Sequence, residues 1–593
     1  MALNEQLERY APADGVPATM TGGEDHKRQD EELTEEMRRI EAAQAVLKRK
    51  GLDFLEQLRT EGEMHSHLSV RALFNNEDFL KEVDAVIEAE AAPDPGGVRR
   101  FLADFAAQVE SLDARWLLTL WRQTSGQSGG NFDSLLQEYG EIYTPDLLQK
   151  LESMSEIADV APPTQRRLNL WCQVTERELI DVDLESQRMN LRQFLVNYRF
   201  QLQNESYIGS ETLLKLLREE KIRELRLQAW RRLVSLSKEI EPQIRELFLE
   251  TNALWQQQGY QDAFLPKLQF IGISEPIFRE VITSIEMVSR PAAHAQLNQC
   301  ADRLGHEVEQ HDWHFLAGMA ASPFKTIFNN LHPIKTTKTT YQTLGIDIEQ
   351  KMVQYAYDSP SQKIISYPVR VPHDIILCHW PLQGYWDYFA LFNALGGANY
   401  FAHIDGDLPY AYRRHAYLVV REGFATLSSW LLWEPRWLKE VPGLSSSQIT
   451  EFLQMKEYEL LKLRYNAAMA LFEMDAYQAL ARDPEADVNG LYRQCMERFL
   501  LVPTNDCSVW TVDQRLMDPQ GRPIFANYVL GLAIAANLLE IFHKEGESLY
   551  SPRFGTLFTS GLVRQGSASS WREQLQQLTA KSLTPFPLSW AKT

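Results

Sequence analysis

The chain has 593 residues, of which 44% are hydrophobic and 24% are charged, the composition of a soluble globular protein large enough for several domains. It carries 60 basic and 80 acidic residues, which gives a formal net charge of -20 at pH 7. Because nucleic acids and anionic membranes select for basic surfaces, this balance argues against both as the main partner.

The five cysteines are scattered along the chain, and no two of them form a Cys-x-x-Cys pair. Scattered thiols favour a reducing compartment over a disulfide framework. Residues 1–6 show no basic stretch followed by an apolar run, so no signal peptide is expected. The most apolar stretch, Tyr528–Phe542, is shorter than a membrane span. The sequence therefore predicts a cytoplasmic protein without a membrane span, and it leaves the oligomeric state open.

Along the chain, the sequence predicts a disordered leader over residues 1–30, where Pro, Gly, Asp and Glu are mixed with few aliphatic residues. An N-terminal helical region follows over residues 31–200, and a second, larger domain covers residues 201–590. Within them, Phe101–Arg122 and Thr212–Trp255 repeat Leu, Ile and Trp every three or four positions. This spacing is typical of long amphipathic helices.

Strand signals are confined to a short region at about 352–379. Gln354–Asp358 and Lys363–Val369 are rich in β-branched and aromatic residues, and Ile375–His379 follows as a third candidate. Helical patterns then resume to the C-terminus. The predicted fold class is mostly α, with one small β-sheet before a central helix.

The segment Asp358–Trp437 holds the motifs that point to a function. After the strands come Gln383–Tyr388, the helix-forming stretch Phe389–Ala398 and, further on, Val420–Leu427 with the sequence Val-Arg-Glu-Gly-Phe-Ala-Thr-Leu. This order resembles the oligoendopeptidase F and thimet oligopeptidase type of zinc metallopeptidase: a small sheet, a turn, an H-E-x-x-H helix, and a second helix bearing a glutamate. The resemblance covers about residues 35–590 and implies an elongated, two-lobed helical fold with an internal cleft.

In that family the two histidines project from one helical face, the adjacent glutamate serves as general base, and a carboxylate from the second helix completes the zinc site. Here Asn393 stands at the first histidine position, Ala394 at the general base and Gly397 at the second histidine. Glu422 lies 29 residues after Asn393 (422 − 393), close to where the family places its carboxylate ligand. The resemblance therefore implies a peptidase framework whose zinc motif has been replaced.

These replacements predict that no zinc is bound and that no catalytic residue remains. An asparagine amide is a poor zinc ligand, glycine offers no side chain, and the general base contributes roughly 10²–10⁴-fold in rate where it exists. No H-E-x-x-H occurs elsewhere; the nearest approach, His306-Glu307 to His311, is one residue too long. Without a metal, Glu422 is expected to pair with Asn393 or with a nearby Arg or His.

Two other groups of histidines are candidates for a rebuilt metal or acid–base site. His403 and His415 are possible acid–base groups of the cleft, and His415 would share the face of Glu422 if its helix extends back that far. His306, His311 and His314 form a local cluster, which is interpreted as a polar connection between helices rather than a metal site.

Three functions stay open at this stage. The leading hypothesis is an inactive peptidase homologue that binds a peptide, a protein segment or a small molecule in the old cleft. The second is an enzyme with different chemistry built from His379, His403, Asp405, His415 and Glu422. The third is a helical scaffold or a regulator of an active relative.

Overall fold

The computed structural model describes residues 97–125, 132–157, 160–316, 324–356, 364–382, 384–454, 456–518 and 522–583. The predicted leader over residues 1–30 lies outside the described residues. The chain divides into two compact units, Met1–Pro93 and Asp94–Thr593, and all described residues belong to the second. The predicted boundary near residue 200 stays a prediction.

Helices form most of this unit. The first ten are α1 (Val98–Thr124), α2 (Phe132–Ile142), α3 (Pro145–Ser155), α4 (Pro162–Asn197), α5 (Ser210–Glu219), α6 (Arg223–Gln257), α7 (Phe264–Ile271), α8 (Glu275–Leu304), α9 (Lys325–Asn329) and α10 (Pro333–Thr343). The later ones are α11 (Tyr385–Ala402), α12 (Tyr410–Arg414), α13 (Leu418–Ser429), α14 (Pro435–Glu440), α15 (Ser446–Leu453), α16 (Lys456–Arg482), α17 (Val488–Leu500), α18 (Ile524–Glu545), α19 (Pro552–Leu557), α20 (Gly561–Arg564) and α21 (Trp571–Thr579).

Local sequence explains where several of these helices begin and end. Pro162 occupies the first turn of α4, where a missing N–H does no harm. Gly305 ends α8 in the left-handed conformation, which glycine adopts without steric penalty. The helix predicted over Phe101–Arg122 is α1, whereas the pattern over Thr212–Trp255 covers two helices, α5 and α6, rather than one.

The predicted sheet is present and has three strands, β3 (Val353–Ala356), β4 (Ile365–Arg370) and β5 (Asp374–His379). The strand order is β3-β5-β4, with β5 parallel to β3 and antiparallel to β4. Ile375 and Leu377 face the main core, and Cys378 faces the smaller core formed by the N-terminal helices. Alternate β5 residues therefore join two hydrophobic cores, which explains why the strand is apolar on both faces.

A second sheet was missed by the sequence prediction. β1 (Arg199–Leu202) and β2 (Glu205–Ile208) form an antiparallel hairpin directly after α4. Gln203 and Asn204 form its two-residue turn with positive φ, a conformation that asparagine tolerates better than most residues. The segment is short and only Phe200 and Leu202 alternate into the core, so its signal is weak beside the long helices on either side.

Helix α18 carries the apolar stretch Tyr528–Phe542. By length and composition it is long and apolar enough to cross a membrane, because the helix extends beyond that stretch at both ends. However, 72% of its most apolar window is buried inside the protein, as in the core helix of a globular domain. The prediction that the chain has no membrane span stays untested.

Three central helices approach each other closely through glycines. A Cβ atom on Gly396 of α11 would meet the Phe424 carbonyl oxygen of α13, and a Cβ on Gly531 of α18 would lie 2.5 Å from the Cβ of Glu422. Gly423 of α13 in turn leaves room for Ile534 of α18. The backbones of α11, α13 and α18 are in contact at these points, and this fixes where the side chains of α13 can project.

We expect Gly531→Ala to lower the free energy of unfolding by about 1–3 kcal/mol, since the added methyl group collides with the α13 backbone. Urea denaturation with an unchanged slope would measure this loss. Gly140→Ala is the matched control: its Cβ would lie 3.5 Å from Val182 Cγ1, an ordinary contact, so the gain in helix propensity of up to about 1 kcal/mol remains. Equal effects of the two substitutions would contradict the close packing.

Candidate functional site

The predicted motif positions lie on two helices that pack against each other. Asn393, Ala394 and Gly397 are on α11, and Glu422 is on α13. Glu422 is 8% exposed and Ala394 is 4% exposed, whereas Asn393 is half-buried. The structure therefore places these positions between two packed helices, with Ala394 and Glu422 buried.

An arginine that the sequence analysis did not assign lies at this point. A Cβ atom on Gly397 would be 2.5 Å from Nε and 2.8 Å from Cζ of Arg421. The Arg421 guanidinium therefore fills the space into which a side chain at position 397 would project. Arg421 Nη1 also donates a hydrogen bond to Glu422 Oε1. The expectation that a nearby arginine or histidine pairs with Glu422 is confirmed.

The residues at these positions do not fit a zinc ion. Glu422 is the one strong ligand among them, and its Oε1 is occupied by a guanidinium. Its Oε2 is buried and has no hydrogen-bond partner among the described residues. Within the described part of the chain, no group of three or more His, Cys, Asp or Glu side chains is arranged to hold a metal ion. A catalytic zinc site needs three protein ligands, and the residues at these positions do not supply them.

The other histidine and aspartate candidates lie apart from this pair. His403 caps α11, where its Nδ1 is 2.8 Å from the Asn399 carbonyl oxygen and its ring packs against Phe558. Asp405 is paired with Arg564 at 2.8 Å. These contacts give both side chains a structural role at the end of α11.

His415 is not on the helix of Glu422. Helix α13 begins at Leu418, so the condition under which His415 would share the helical face of Glu422 is not met. The ring is instead packed edge-on against Trp171 and Phe270, with centroids 5.5 Å and 6.4 Å away. Burial, together with the charges of Arg177 and Arg414, lowers the pKa of His415 well below its usual value. It is therefore a neutral imidazole at neutral pH.

The histidine cluster near residue 310 is a polar connection between helices, as interpreted from the sequence. Asp312 is fully buried and pairs with the equally buried Arg226 at 2.7 Å, and His306 and His311 lie around it at 3.8 Å and 3.5 Å. Burial lowers the pKa of His314 to about 4.

A cleft opens beside the start of α13. It encloses about 850 Å³, counting its open part, and its walls come from α4, α6, α7, the segment 415–419 and the start of α18. A second cavity of about 470 Å³ lies between α1, α2 and α4. Asp181 and His415 line both cavities and therefore lie in their shared wall, the junction of the two cavities. Neither cavity is lined by Asn393, Gly397 or Glu422.

The walls that α4 contributes are rich in buried ion pairs. Arg188 pairs with Asp181 at 2.8 Å, and Arg192 pairs with Glu185 at 2.6 Å. These four residues are spaced four, three and four apart, so they share one face of α4. Leucines 184, 191 and 195 are buried near the same face. Charges spaced at helical period among buried leucines are the signal that would have identified this site from the sequence.

The described part of the chain is thus a mostly helical fold with one three-stranded and one two-stranded sheet. No protein-family profile matches the sequence, and comparison with curated proteins gives no match either.

Solved metallopeptidase structures match this chain in fold. PZ peptidase A with an inhibitor matches with a TM-score of 0.60 and 13% identity over 91% of this chain and 96% of that chain. A protein assigned as oligoendopeptidase F matches with 0.60 and 12% over 84% and 95%. The M32 carboxypeptidase from Deinococcus radiodurans R1 matches with 0.55 and 12% over 84% and 98%. The mostly helical fold class with its small sheet is confirmed.

We expect Arg421→Met and Glu422→Gln each to lower the free energy of unfolding by about 1–3 kcal/mol, because the first leaves the buried carboxylate without its donor and the second leaves the guanidinium without its counter-charge. The double variant should lose less than the sum, since the second substitution removes the group that the first left unpaired. Chemical denaturation measures all three variants. Arg436→Met, on a 2.8 Å pair whose side chains are 53% and 46% exposed, is the control and should change stability by less than about 0.5 kcal/mol. Strict additivity would contradict the pairing.

The shifted pKa of His314 predicts an acid-dependent loss of stability. Its folded pKa of about 4 lies below the unfolded value of 6.5, so the unfolded chain binds a proton first as the pH falls. Stability contributed by the neutral ring is therefore full above pH 6.5 and is lost progressively between 6.5 and 4. Melting temperatures across this range should fall less steeply for His314→Gln than for the wild type. The same slope in both would contradict the shift; His306→Gln controls for the loss of a histidine as such.

Proposed function

We propose that this chain is a catalytically inactive homologue of the oligoendopeptidase-type metallopeptidases, and that it binds a peptide, a protein segment or a small molecule in its cleft. The observation that carries this proposal is the Arg421 guanidinium, which lies over Gly397 and is hydrogen-bonded to Glu422. Asn393, Ala394 and Gly397 then stand at the replaced ligand and base positions of the zinc motif.

An internal cation accounts for the retained glutamate. A carboxylate with less than a tenth of its surface exposed is costly without a positive partner, whether that partner is a metal ion or a guanidinium. Arg421 supplies this charge permanently and from the same helix. The guanidinium thereby stabilises the buried Glu422 carboxylate without a metal. No position for a metal-bound reacting water then remains beside it.

The cleft supports the binding part of the proposal. Its apolar surfaces include Phe270, Trp255 and Leu418, and polar side chains from α4 converge on its wall. A concave, mostly apolar site with a few converging polar groups is the usual form of a ligand pocket.

A second candidate is an enzyme with different acid–base chemistry in the cleft. It is favoured by one observation, that neutral His415 and the carboxylates of Asp181 and Glu185 line adjoining cavities. The third hypothesis, a scaffold or regulator, requires no cleft and stays a prediction from the sequence.

The test is metal content of the purified protein and hydrolysis of fluorogenic peptides, before and after zinc is added. We expect no retained zinc and no cleavage. The variant Asn393→His, Ala394→Glu, Gly397→His should still fail to hold zinc, because Arg421 occupies the space of the new histidine. Adding Arg421→Ala should allow about one zinc ion per chain.

Tightly held zinc with chelator-sensitive cleavage in the wild type would overturn the inactive assignment. If the fourfold variant folds and binds no zinc, the assignment of the motif positions is wrong. Cleavage that resists chelators would instead favour the second candidate. Circular dichroism of every variant separates loss of folding from loss of binding.

A further inference from the structure

The two cavities meet at buried acceptors that lack a donor. Asp181 is 6% exposed and Glu185 is 3% exposed. In each, one oxygen is paired with an arginine of the same helix, Asp181 Oδ1 with Arg188 and Glu185 Oε1 with Arg192. The other oxygen of each, Asp181 Oδ2 and Glu185 Oε2, is buried and has no hydrogen-bond partner among the described residues. A buried acceptor left open in this way costs about 1–3 kcal/mol unless something fills it.

His415 contributes a third open position at the same place. Its Nε2 is buried and has no hydrogen-bond partner within the described part of the chain. Arg177 Nε lies 3.8 Å from Asp181 Oδ2, beyond hydrogen-bond distance, while the Nη2 of the same arginine donates to Glu178 at 2.5 Å. Asp181 Oδ2 therefore has a charge nearby without a donor that reaches it.

Among the charged side chains of the cavity walls, one carboxylate, that of Glu176, has no basic partner among the described residues. Each basic side chain that lines them already has a carboxylate partner: Arg177 with Glu178, Arg188 with Asp181, Arg414 with Asp113, Lys267 with Glu473 and Arg522 with Asp518. Glu185 is neutralised by Arg192 from outside the lining. Glu176, which lines the first cavity, has only the hydroxyl of Tyr260 at 3.2 Å. One carboxylate on these walls is thus left without a basic partner among the described residues.

We propose that the junction of the two cavities binds a cationic hydrogen-bond donor, an ammonium or guanidinium group of the ligand, between Asp181, Glu185 and His415. The inference rests on the proposed function and names the chemical class that the cleft selects. A positively charged donor satisfies both open carboxylate oxygens with charge-assisted hydrogen bonds. The apolar remainder of such a ligand lies along the first cavity beside Phe270 and Trp255.

Two further features agree with a donor rather than an acceptor at this point. Burial raises the pKa of Glu185 to about 7, and a cation beside the carboxylate would favour its ionised form. The neutral ring of His415 adds no competing positive charge. A basic side chain, a peptide N-terminus and a free polyamine would each present such a donor.

Calorimetric titration of the full-length protein tests the proposal with four probes. These are an N-acetylated tetrapeptide containing one arginine, the same peptide with norleucine in its place, that norleucine peptide with a free N-terminus, and spermidine. We expect at least one cationic probe to bind at least about ten-fold more tightly than the neutral peptide. The probe that does so identifies the source of the charge: side chain, N-terminus or polyamine.

Asp181→Asn and Glu185→Gln should each remove this preference for the cationic probes over the neutral peptide. Glu286→Gln is the matched control, because Glu286 is also a buried carboxylate, paired with Arg464 at 3.4 Å, but lines neither cavity. If one cleft variant does not fold, the other carries the test, and the comparison of probes on the wild type needs neither. Equal affinity for cationic and neutral peptides would overturn this inference alone. No binding of any probe would overturn it together with the proposed binding function.

Discussion

The packing of the central helices depends on the contact between Arg421 and Gly397. Helices α11, α13 and α18 approach so closely that backbone atoms meet at Gly396 and Gly531. At that separation, the space above Gly397 holds one side chain, and Arg421 fills it. The Arg421 guanidinium then reaches Glu422 and pairs with it. A side chain at position 397 would meet the Arg421 guanidinium, so a histidine there would require the arginine to move away from Glu422.

The Arg421–Glu422 pair on α13 and the charged face of α4 are two separate sites. The pair on α13 is closed and has no opening in either cavity, whereas the charged face of α4 is open to both. The first site has a structural role within α13, because removal of one partner would leave the other buried and unpaired. Under the proposed function, recognition of a ligand falls to the second site, where open acceptors and apolar walls occur together. Under the same proposal, loss of the catalytic position does not weaken that site, because none of its residues belongs to the motif positions.

Much of the fold could be predicted from the sequence, because long helices and the three strands around residue 365 have strong periodic signals. Ile375 and Leu377 alternate with Ile376 and Cys378, and this pattern alone indicates a strand buried on both faces. The hairpin over residues 199–208 was missed because its turn is formed by Gln203 and Asn204 without glycine. The closeness of α11 to α13 is not readable from a pattern, since a glycine in a helical stretch indicates packing only when the neighbouring helix is known.

The two sites could be predicted from the sequence to different degrees, because one depends on tertiary packing and the other on helical periodicity. The assignment of Glu422 followed from the resemblance to the oligoendopeptidases, and its need for a partner followed from the cost of burying a charge. That the partner would be the adjacent Arg421 depends on the rotamer that α11 leaves free, which is a tertiary property. The face of α4 differs, because Asp181, Glu185, Arg188 and Arg192 repeat at helical period among leucines. Such a row is expensive to bury unless each charge has a partner, and Asp181 and Glu185 each keep one oxygen without a hydrogen-bond donor. A row of this kind is therefore better evidence for a binding surface than the positions on α11 and α13 that were assigned from the resemblance.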